Sequence, residues 1–208
     1  MDSVNTAAIL EFWFGAAAES PAEVRAAKKY WYRSGPRLDK EIIQRFSNDH
    51  IEAQRPHTKD VQGDARDLLA RILLLDQFSR HLYRGTAKAY AFDPMAQDFA
   101  QRLHWPRLDL SCSPIEKVFA LHPFHHAENP QLQRMGIEQL EQITKKSDKA
   151  WQGVLKRFLK SFEDHALIID RFGRFPHRNS ILGRTQTNAE IKFMKTTKQH
   201  FGQVHGSH

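Results

Sequence analysis

Cysteine is nearly absent from this sequence, and long apolar runs are absent altogether. Cys112 is the only cysteine in 208 residues, which excludes a disulfide within the chain and an all-cysteine metal site. No apolar run approaches the roughly 20 residues that a transmembrane helix needs. The N-terminus also lacks the basic start, apolar stretch and small-residue cleavage site of a secretory signal. We therefore expect a cytoplasmic protein with no membrane span.

Several motifs of catalysis and nucleotide binding are missing as well. The chain contains no Gly-x-Ser-x-Gly, no Walker loop, no dinucleotide-binding glycine pattern and no His-Glu-x-x-His. His122 and His126 offer two imidazoles at a spacing that suits a metal, but Pro123 and Pro130 disturb the local geometry. We therefore predict no metal site and no cofactor.

Positive charge is concentrated in the last third of the chain. Residues 1–144 contain 18 lysines and arginines against 19 acidic residues, whereas residues 145–208 contain 13 against 5. Such a basic excess attracts nucleic acids or anionic small molecules. The aromatic residues of this part fall at helical core spacing rather than between exposed cations, so nucleic-acid binding is not expected. The partners that we predict are a small anionic molecule or an acidic peptide, and the oligomeric state is left open.

The length and composition fit a single α-helical domain over residues 1–208, with a disordered tail at residues 199–208. Three capping boxes, which begin at Ser20, Ser113 and Thr187, mark helix starts. No stretch shows the alternation of β-branched residues that predicts strands. Apolar residues at helical spacing predict about nine helices, near residues 6–14, 21–33, 37–53, 64–78, 94–104, 114–126, 130–145, 149–172 and 188–196.

A weak internal repeat extends this prediction of the fold. The helix that starts at Asp93-Pro94 resembles the helix that starts at Asn129-Pro130, displaced by 36 residues. A period near ~34 residues is typical of tetratricopeptide helix pairs. We therefore predict an all-α fold of antiparallel helix hairpins in a tetratricopeptide-like superhelical array.

One segment near the C-terminus combines residue types that seldom occur together. Residues 171–179, Arg-Phe-Gly-Arg-Phe-Pro-His-Arg-Asn, place three arginines, a histidine and an amide among two phenylalanines, a glycine and a proline. Surface loops rarely contain so many aromatic residues, and cores rarely contain so many cations. The segment is therefore predicted to pack against the protein body, where its cations meet acids of earlier helices, with Asp76 and Glu128 as candidates.

Polar side chains interrupt the apolar faces of two predicted helices. His165 lies on the apolar face of the predicted helix 149–172, and Asp76 lies on or beside that of the predicted helix 64–78. A buried carboxylate must be paired or hydrogen-bonded, and Arg80, one helical turn later, and Arg84 are the local candidates to pair with Asp76. His165 is either a hydrogen-bonded core residue or a catalytic one.

Four stretches of the chain resemble the signatures of a bacterial family of uncharacterised proteins. Residues 75–87 (LDQFSRHLYRGTA) are similar to its LDQFPRNIYRGTA, residues 123–128 (PFHHAE) to its PFEHSE, residues 171–183 to its RFGRFPHRNAILG and residues 9–15 to its ILDFWFG. The resemblance extends over roughly residues 9–194 and implies a tetratricopeptide-like helical fold, but no activity. Three departures from the family pattern matter for the site, where Ser79, His81 and Ala127 replace a proline, an asparagine and a serine.

These patterns leave three functions open, and the first is the one that we predict. It is a binding module in which arginines and their neighbours line a groove between helix pairs and hold an anion by bidentate hydrogen bonds. Its predicted ligand-binding residues are Asp76, Gln77, Arg80, Arg84, Arg174, His177, Arg178 and Asn179.

The two alternatives use some of the same residues. The second function is an enzyme that acts on an anionic substrate, with general acid–base residues drawn from His126, Glu128, His165 and His177. The third is purely structural, with Asp76 and Glu128 pairing with arginines to fasten the C-terminal segment to the helices.

Overall fold

The computed structural model describes residues 4–33, 35–55, 65–103 and 112–197, and these ranges are mainly helical and contain no strand. The helices are α1 (Thr6–Phe14), α2 (Val24–Arg33), α3 (Gly35–Ala53), α4 (Ala65–Ile72), α5 (Ser79–Leu82), α6 (Asp93–Arg102), α7 (Pro114–Ala120), α8 (His122–His125), α9 (Pro130–Lys146), α10 (Lys149–Phe172) and α11 (Asn188–Thr196). A π-helical stretch, Leu73–Phe78, joins α4 to α5, and short 3-10 helices cover Gly15–Ala18, Ala87–Tyr90 and Pro176–Arg178. The predicted all-α class is confirmed, whereas the predicted tail at residues 199–208 lies outside the described residues.

Two of the three predicted capping boxes form. The side chains of Ser113 and Thr187 accept hydrogen bonds from the backbone three residues later, and the glutamates there bond back to the caps. At Ser20 the prediction is wrong, since α2 begins at Val24. The Ser20 hydroxyl instead accepts a hydrogen bond from the N–H of Ala22, so that a turn precedes the helix.

The predicted helix 64–78 changes its winding in its second half. Leu73–Phe78 is π-helical, and all six of its residues are buried, including Asp76 and Gln77. Helical winding then continues through α5 to Leu82. A π-helical turn holds more residues than an α-helical turn, and such stretches frequently occur at functional sites. The apolar periodicity of the sequence predicts a helix here but does not distinguish the two windings.

The predicted helix 114–126 is divided in two. α7 ends at Ala120, and α8 begins at His122 with Pro123 in its first turn. Proline has no backbone N–H, and its ring clashes with the carbonyl four residues earlier, here that of Phe119. The helix is interrupted because of this clash, and His125 and His126 therefore lie at the end of a separate short helix.

Aromatic side chains from four helices meet in the core. Trp13 and Trp31 stack with their ring centroids 6.2 Å apart, and the centroid of Phe119 lies 4.6 Å from that of Trp31. Phe158 of α10 extends the group, 6.4 Å from Phe119. All four rings are buried. These contacts connect α1, α2, α7 and α10 around one apolar centre.

α9 and α10 form a helical hairpin that a glycine allows to pack closely against α8. A Cβ atom at Gly136 would lie 3.0 Å from Cβ of Phe124 and 3.4 Å from the ring of Phe162. Gly173 ends α10 in the left-handed conformation, with φ of 69°, as its position in the sequence predicts.

None of the described helices combines the length and the apolar character that crossing a bilayer requires. The tetratricopeptide-like arrangement stays a prediction.

Candidate functional site

A fully buried carboxylate, that of Asp76, lies at the centre of the candidate site. Its two oxygens lie 2.8 and 3.0 Å from Nδ1 of His126, and Nε2 of Gln77 donates to one of them at 2.5 Å. Arg80 lies 3.3 Å from the same carboxylate and also donates to the backbone carbonyl of Asp76. The π-helical stretch and the helical turn after it therefore present an acid, an amide and a guanidinium to a histidine at the end of α8.

A second buried carboxylate, that of Asp93, balances the charges. Asp93 begins α6, and its oxygens lie 3.1 Å from nitrogens of Arg80 and 3.1 Å from a nitrogen of Arg178. Asp76, Asp93, Arg80 and Arg178 thus form a chain of two acids and two guanidinium groups with no net charge. Because each charge has a partner of opposite sign, the chain tolerates burial that an isolated charge would not.

The segment 171–179 packs inward, as predicted, but the acids expected to meet its cations are wrong: Arg178 pairs with Asp93 and Arg174 with Glu190, rather than with Asp76 or Glu128. Arg178 is buried and donates to the backbone carbonyl of His126 at 3.0 Å. Its guanidinium also lies 4.6 and 4.7 Å from the ring centroids of Tyr90 and Phe175. Phe175 is fully buried and anchors the segment in the core. Arg178 therefore joins the C-terminal segment to α6 and to the end of α8.

Glu128 fastens the same segment by a different set of hydrogen bonds. Its carboxylate accepts the N–H of Phe175 at 2.8 Å and two hydrogen bonds from Arg184, at 2.6 and 3.0 Å. Partial burial opposes ionisation, but the hydrogen bonds from Arg184 and Phe175 hold the pKa of Glu128 below its ordinary value. This candidate acid–base residue is therefore an ionised partner of an arginine that the sequence analysis does not nominate.

Two of the predicted ligand-binding arginines are held by separate carboxylates. Arg84 donates two hydrogen bonds to Asp39 of α3, at 2.6 and 2.7 Å, and Nδ1 of His81 lies 2.7 Å from the same carboxylate. Arg174 donates to Glu190 of α11 at 2.7 and 2.9 Å, and these bonds lower the pKa of Glu190. The structure therefore distributes the four predicted arginines over three ion-pair groups.

His177 and Asn179 lie within the packed segment. Asn179 is fully buried, and its backbone carbonyl accepts the N–H of Arg184 at 2.8 Å. The ring of His177 lies 5.4 Å from that of Phe175, and burial, with a further contribution from the charge of Arg178, lowers the pKa of His177 to about 2. His177 is therefore a neutral ring at physiological pH.

Four histidines gather beside Asp76, and we call them the histidine centre: His122, His125, His126 and His165. The ring centroid of His125 lies 5.6 Å from that of His122, 5.1 Å from that of His126 and 3.9 Å from that of His165. Burial lowers the pKa of His122 and of His165 to about 4, and it lowers the pKa of His125 and of His126 well below 6.5. All four rings are therefore neutral at neutral pH.

His126 differs from its neighbours in how its ring nitrogens are used. Nδ1–H donates to Asp76, which fixes the tautomer and leaves the lone pair on Nε2. Among the described residues, none forms a hydrogen bond with Nε2 of His126, and the side chain is 17% exposed. By contrast, Nδ1 of His122 and Nδ1 of His165 each bond to a backbone carbonyl. His126 thus presents an oriented, neutral imidazole in a partly exposed side chain, with Nε2 lacking a hydrogen-bond partner among the described residues.

Helix α2 lies along one side of the histidine centre. The hydroxyl of Tyr32 lies 3.5 Å from Nε2 of His122. Burial of that hydroxyl, and then the negative charge of Asp76, raise the pKa of Tyr32, so the phenol stays protonated and can donate to His122. One helical turn earlier, Nζ of Lys28 lies 3.9 Å from the ring centroid of Phe158.

Within the described part of the chain, no group of three or more histidine, cysteine or acidic side chains is placed to hold a metal ion. Two shallow surface cavities lie elsewhere, one beside Lys117 and Trp151 and the other beside Pro36 and Glu41. Neither cavity is lined by a predicted site residue.

The sequence analysis misses three residues of this arrangement. Asp93 is assigned only as a helix start, and neither Arg184 nor Tyr32 is singled out. Their partners are 85, 56 and 90 residues away along the chain. The Asp-Pro pair predicts the helix start at Asp93, but no local pattern predicts contacts over such separations.

Comparisons with known proteins agree with the resemblance carried by the motifs. A family model for bacterial proteins of unknown function matches residues 9–198. The solved structure of a protein of unknown function from Agrobacterium tumefaciens is 32% identical, with a TM-score of 0.75, and the alignment covers 92% of this chain and 97% of that one. No curated protein matches the chain. The predicted membership of an uncharacterised bacterial family is confirmed.

Proposed function

We propose that this chain, which belongs to the DUF924 family of bacterial proteins of unknown function, is an enzyme in which His126 acts as a general base. The observation that carries the proposal is the bond from Nδ1 of His126 to the buried carboxylate of Asp76, with Nε2 left without a partner among the described residues. A carboxylate that holds one imidazole nitrogen directs the other toward its substrate.

The electrostatics around this pair support the assignment. A base must be unprotonated to accept a proton, and burial keeps His126 neutral at physiological pH. When its ring accepts a proton, the imidazolium lies next to the Asp76 carboxylate, which stabilises the new charge. Asp76 is therefore the orienting residue, and Arg80 and Gln77 hold that carboxylate in position.

The reaction class follows from what lies within reach of the base. Among the described residues, no serine, threonine or cysteine side chain is hydrogen-bonded to His126, so no side-chain nucleophile is assigned. We infer that His126 accepts a proton from a water molecule or from the substrate itself.

The binding function predicted from the sequence draws on arginines that the structure pairs with acids. Arg80, Arg84, Arg174 and Arg178 each contact a carboxylate. This arrangement favours a fastening role for them, as in the structural alternative, and leaves His126 as the reactive group. The binding module through these arginines, the tetratricopeptide-like array and the cytoplasmic location stay predictions.

The activity test uses 4-nitrophenyl acetate, an ester that a neutral imidazole cleaves. We expect kcat/KM of His126→Gln to fall by about 100-fold or more, because general-base catalysis contributes on that order. His165→Gln is the matched control, since it replaces a neighbouring histidine whose Nδ1 bonds to the Ser161 carbonyl, and it should retain activity. Equal loss in both variants, or no loss in His126→Gln, contradicts the proposal.

A chemical test needs no substrate. Diethyl pyrocarbonate modifies unprotonated imidazole nitrogens, and peptide mass spectrometry locates each product. We expect His126 to react faster than His122, His125 and His165, and Asp76→Asn to change the rate at His126 because the orienting carboxylate is lost. If His126 reacts no faster than the other three histidines, its Nε2 is not the accessible base that we propose.

A further inference from the structure

Near the histidine centre, the ammonium of Lys28 lacks a carboxylate partner among the described residues. Asp76 and Asp93 are neutralised by Arg80 and Arg178. Lys28 of α2 is different, because within the described ranges no carboxylate forms an ion pair with it; its ammonium instead faces the ring of Phe158 at 3.9 Å. A cation over an aromatic face is held in place but not neutralised.

Lys28 lies close enough to the histidine centre to act on it. The ring of Phe158 is 6.2 Å from that of His122, and the positive charge of Lys28 contributes to the lowered pKa of His122. Lys28 and Tyr32 are four residues apart on α2 and so project from the same face of that helix. The hydroxyl of Tyr32 already contacts His122. Lys28 therefore stands at the edge of the centre, next to the residues that surround the base.

A second cation increases this imbalance. Arg157 precedes Phe158 on α10, is exposed, and has no carboxylate partner among the described residues. Burial, and then the positive charge of Arg157, lower the pKa of Lys28. The half-buried ammonium of Lys28 and the guanidinium of Arg157 carry like charges, which destabilise one another. A bound anion removes that penalty.

We propose that Lys28 and Arg157 bind a phosphate group of the substrate at the edge of the histidine centre. This inference rests on the proposed function, since it names the class of substrate that His126 would act on. A phosphate carries close to two negative charges near neutral pH and so matches two cations. Lysine is a common phosphate ligand, and an arginine beside it adds directional donors.

The test measures binding of inorganic phosphate by isothermal titration calorimetry and by the rise in Tm. We expect Lys28→Gln to weaken phosphate binding by at least about tenfold, and Lys28→Arg to restore most of it, because the charge is what is recognised. Lys29→Gln is the matched control, since it removes an exposed lysine from the same helix and should leave the Kd within about twofold. Propionate serves as the probe for a single carboxylate, and we expect weaker binding than for phosphate.

The outcomes separate this inference from the proposed function. Equal phosphate binding in wild type, Lys28→Gln and Lys29→Gln overturns the anion site, as does the absence of any saturable Tm shift at millimolar phosphate, while the His126 tests stand unaffected. Tighter binding of propionate than of phosphate overturns the assigned substrate class. Conversely, if His126→Gln keeps full esterase activity but Lys28→Gln loses phosphate, the anion site holds and the general-base proposal fails.

Discussion

Two polar regions of this protein differ in charge: one consists of ion pairs, and the other consists of neutral histidine rings. The first, which we call the C-terminal clamp, consists of the pairs Arg174–Glu190, Arg178–Asp93 and Arg184–Glu128. Each guanidinium in it meets a carboxylate at 3.1 Å or less. The second is the histidine centre, where four neutral rings lie close together and Nδ1 of the buried His125 has no hydrogen-bond partner within the part of the chain that the structure describes.

The difference indicates which region holds structure and which holds chemistry. Ion pairs fix geometry, and each acid of the clamp is bound by a guanidinium. The buried Nε atoms of Arg178 and Arg184 lack a hydrogen-bond partner among the described residues, as Nδ1 of His125 does, so unsatisfied nitrogens do not by themselves distinguish the two regions. The histidine centre differs in gathering four imidazoles of lowered pKa, and such groups concentrate at functional sites. The clamp therefore explains why the segment 171–179 packs inward, and the histidine centre is where a reaction is proposed. Arg178 belongs to the clamp but also bonds to the carbonyl of His126, so the two regions touch.

The largest expected effect comes from breaking the clamp at its most buried point. Arg178→Met leaves Asp93 with one guanidinium instead of two and removes the bond to the carbonyl of His126. We expect a loss of about 3–5 kcal/mol in the free energy of unfolding, because an incompletely compensated charge stays buried. Urea denaturation followed by circular dichroism measures it.

The control for that experiment is an arginine in an exposed ion pair. Arg134 lies 3.9 Å from Asp170, and both side chains are more than half exposed. Arg134→Met should change the free energy of unfolding by no more than about 1 kcal/mol. Similar losses in the two variants would show that the clamp is not a special region of the molecule.

The pH dependence of stability separates the two regions. The pKa of His122 and of His165 is about 4 in the folded protein against 6.5 for a free side chain, so between these values the unfolded chain binds more protons. Stability should therefore fall as pH drops from 6.5 toward 4, by about 1.4 kcal/mol per pH unit for each such histidine. The pKa of Glu128 is lowered below 4.5, so the stability that its ion pair with Arg184 contributes is lost only as pH falls below that value.

Urea midpoints measured across this pH range test the assignment. His165→Gln should reduce the slope of unfolding free energy against pH by about 1.4 kcal/mol per pH unit between pH 6.5 and 4, the contribution of one histidine. The slope below pH 4 should stay unchanged. A flat profile down to pH 4.5, followed by a single acid transition, would mean that the carboxylates alone determine the acid stability.

The smallest effects test the packing behind the histidine centre. Gly136→Ala should destabilise the protein by about 1–3 kcal/mol, because the new methyl group would meet Phe124 and the ring of Phe162, which stacks on His125 at 4.3 Å. Gly153→Ala is the matched control, since nothing lies within 4 Å of that position in α10. It should stabilise the protein by about 0.5–1 kcal/mol through helix propensity. Thermal unfolding distinguishes the two signs.

Much of the local structure was predictable because its causes are local. The capping boxes at Ser113 and Thr187, the left-handed Gly173 and the apolar periodicity each act within a few residues. The pairing of residues in the candidate site was less predictable. Asp76 was expected to meet a cation, and it does meet Arg80, four residues later. The bond from Asp76 to His126, 50 residues away, depends on the position of α8, which follows the interruption of helical structure at Leu121.

The sequence by itself determined the all-α class, most helix starts and the need for the aromatic, cationic segment 171–179 to pack inward, since short-range sterics and hydrophobic burial suffice for these. Only the tertiary structure decided which carboxylate each arginine meets. It also decided that Leu73–Phe78 winds as a π-helix. The tertiary structure likewise places Nδ1 of His126 against the buried carboxylate of Asp76 and leaves Nε2 without a partner among the described residues. These outcomes depend on distances between residues far apart in the chain, and hydrogen bonds and ion pairs are decided by differences of less than one ångström.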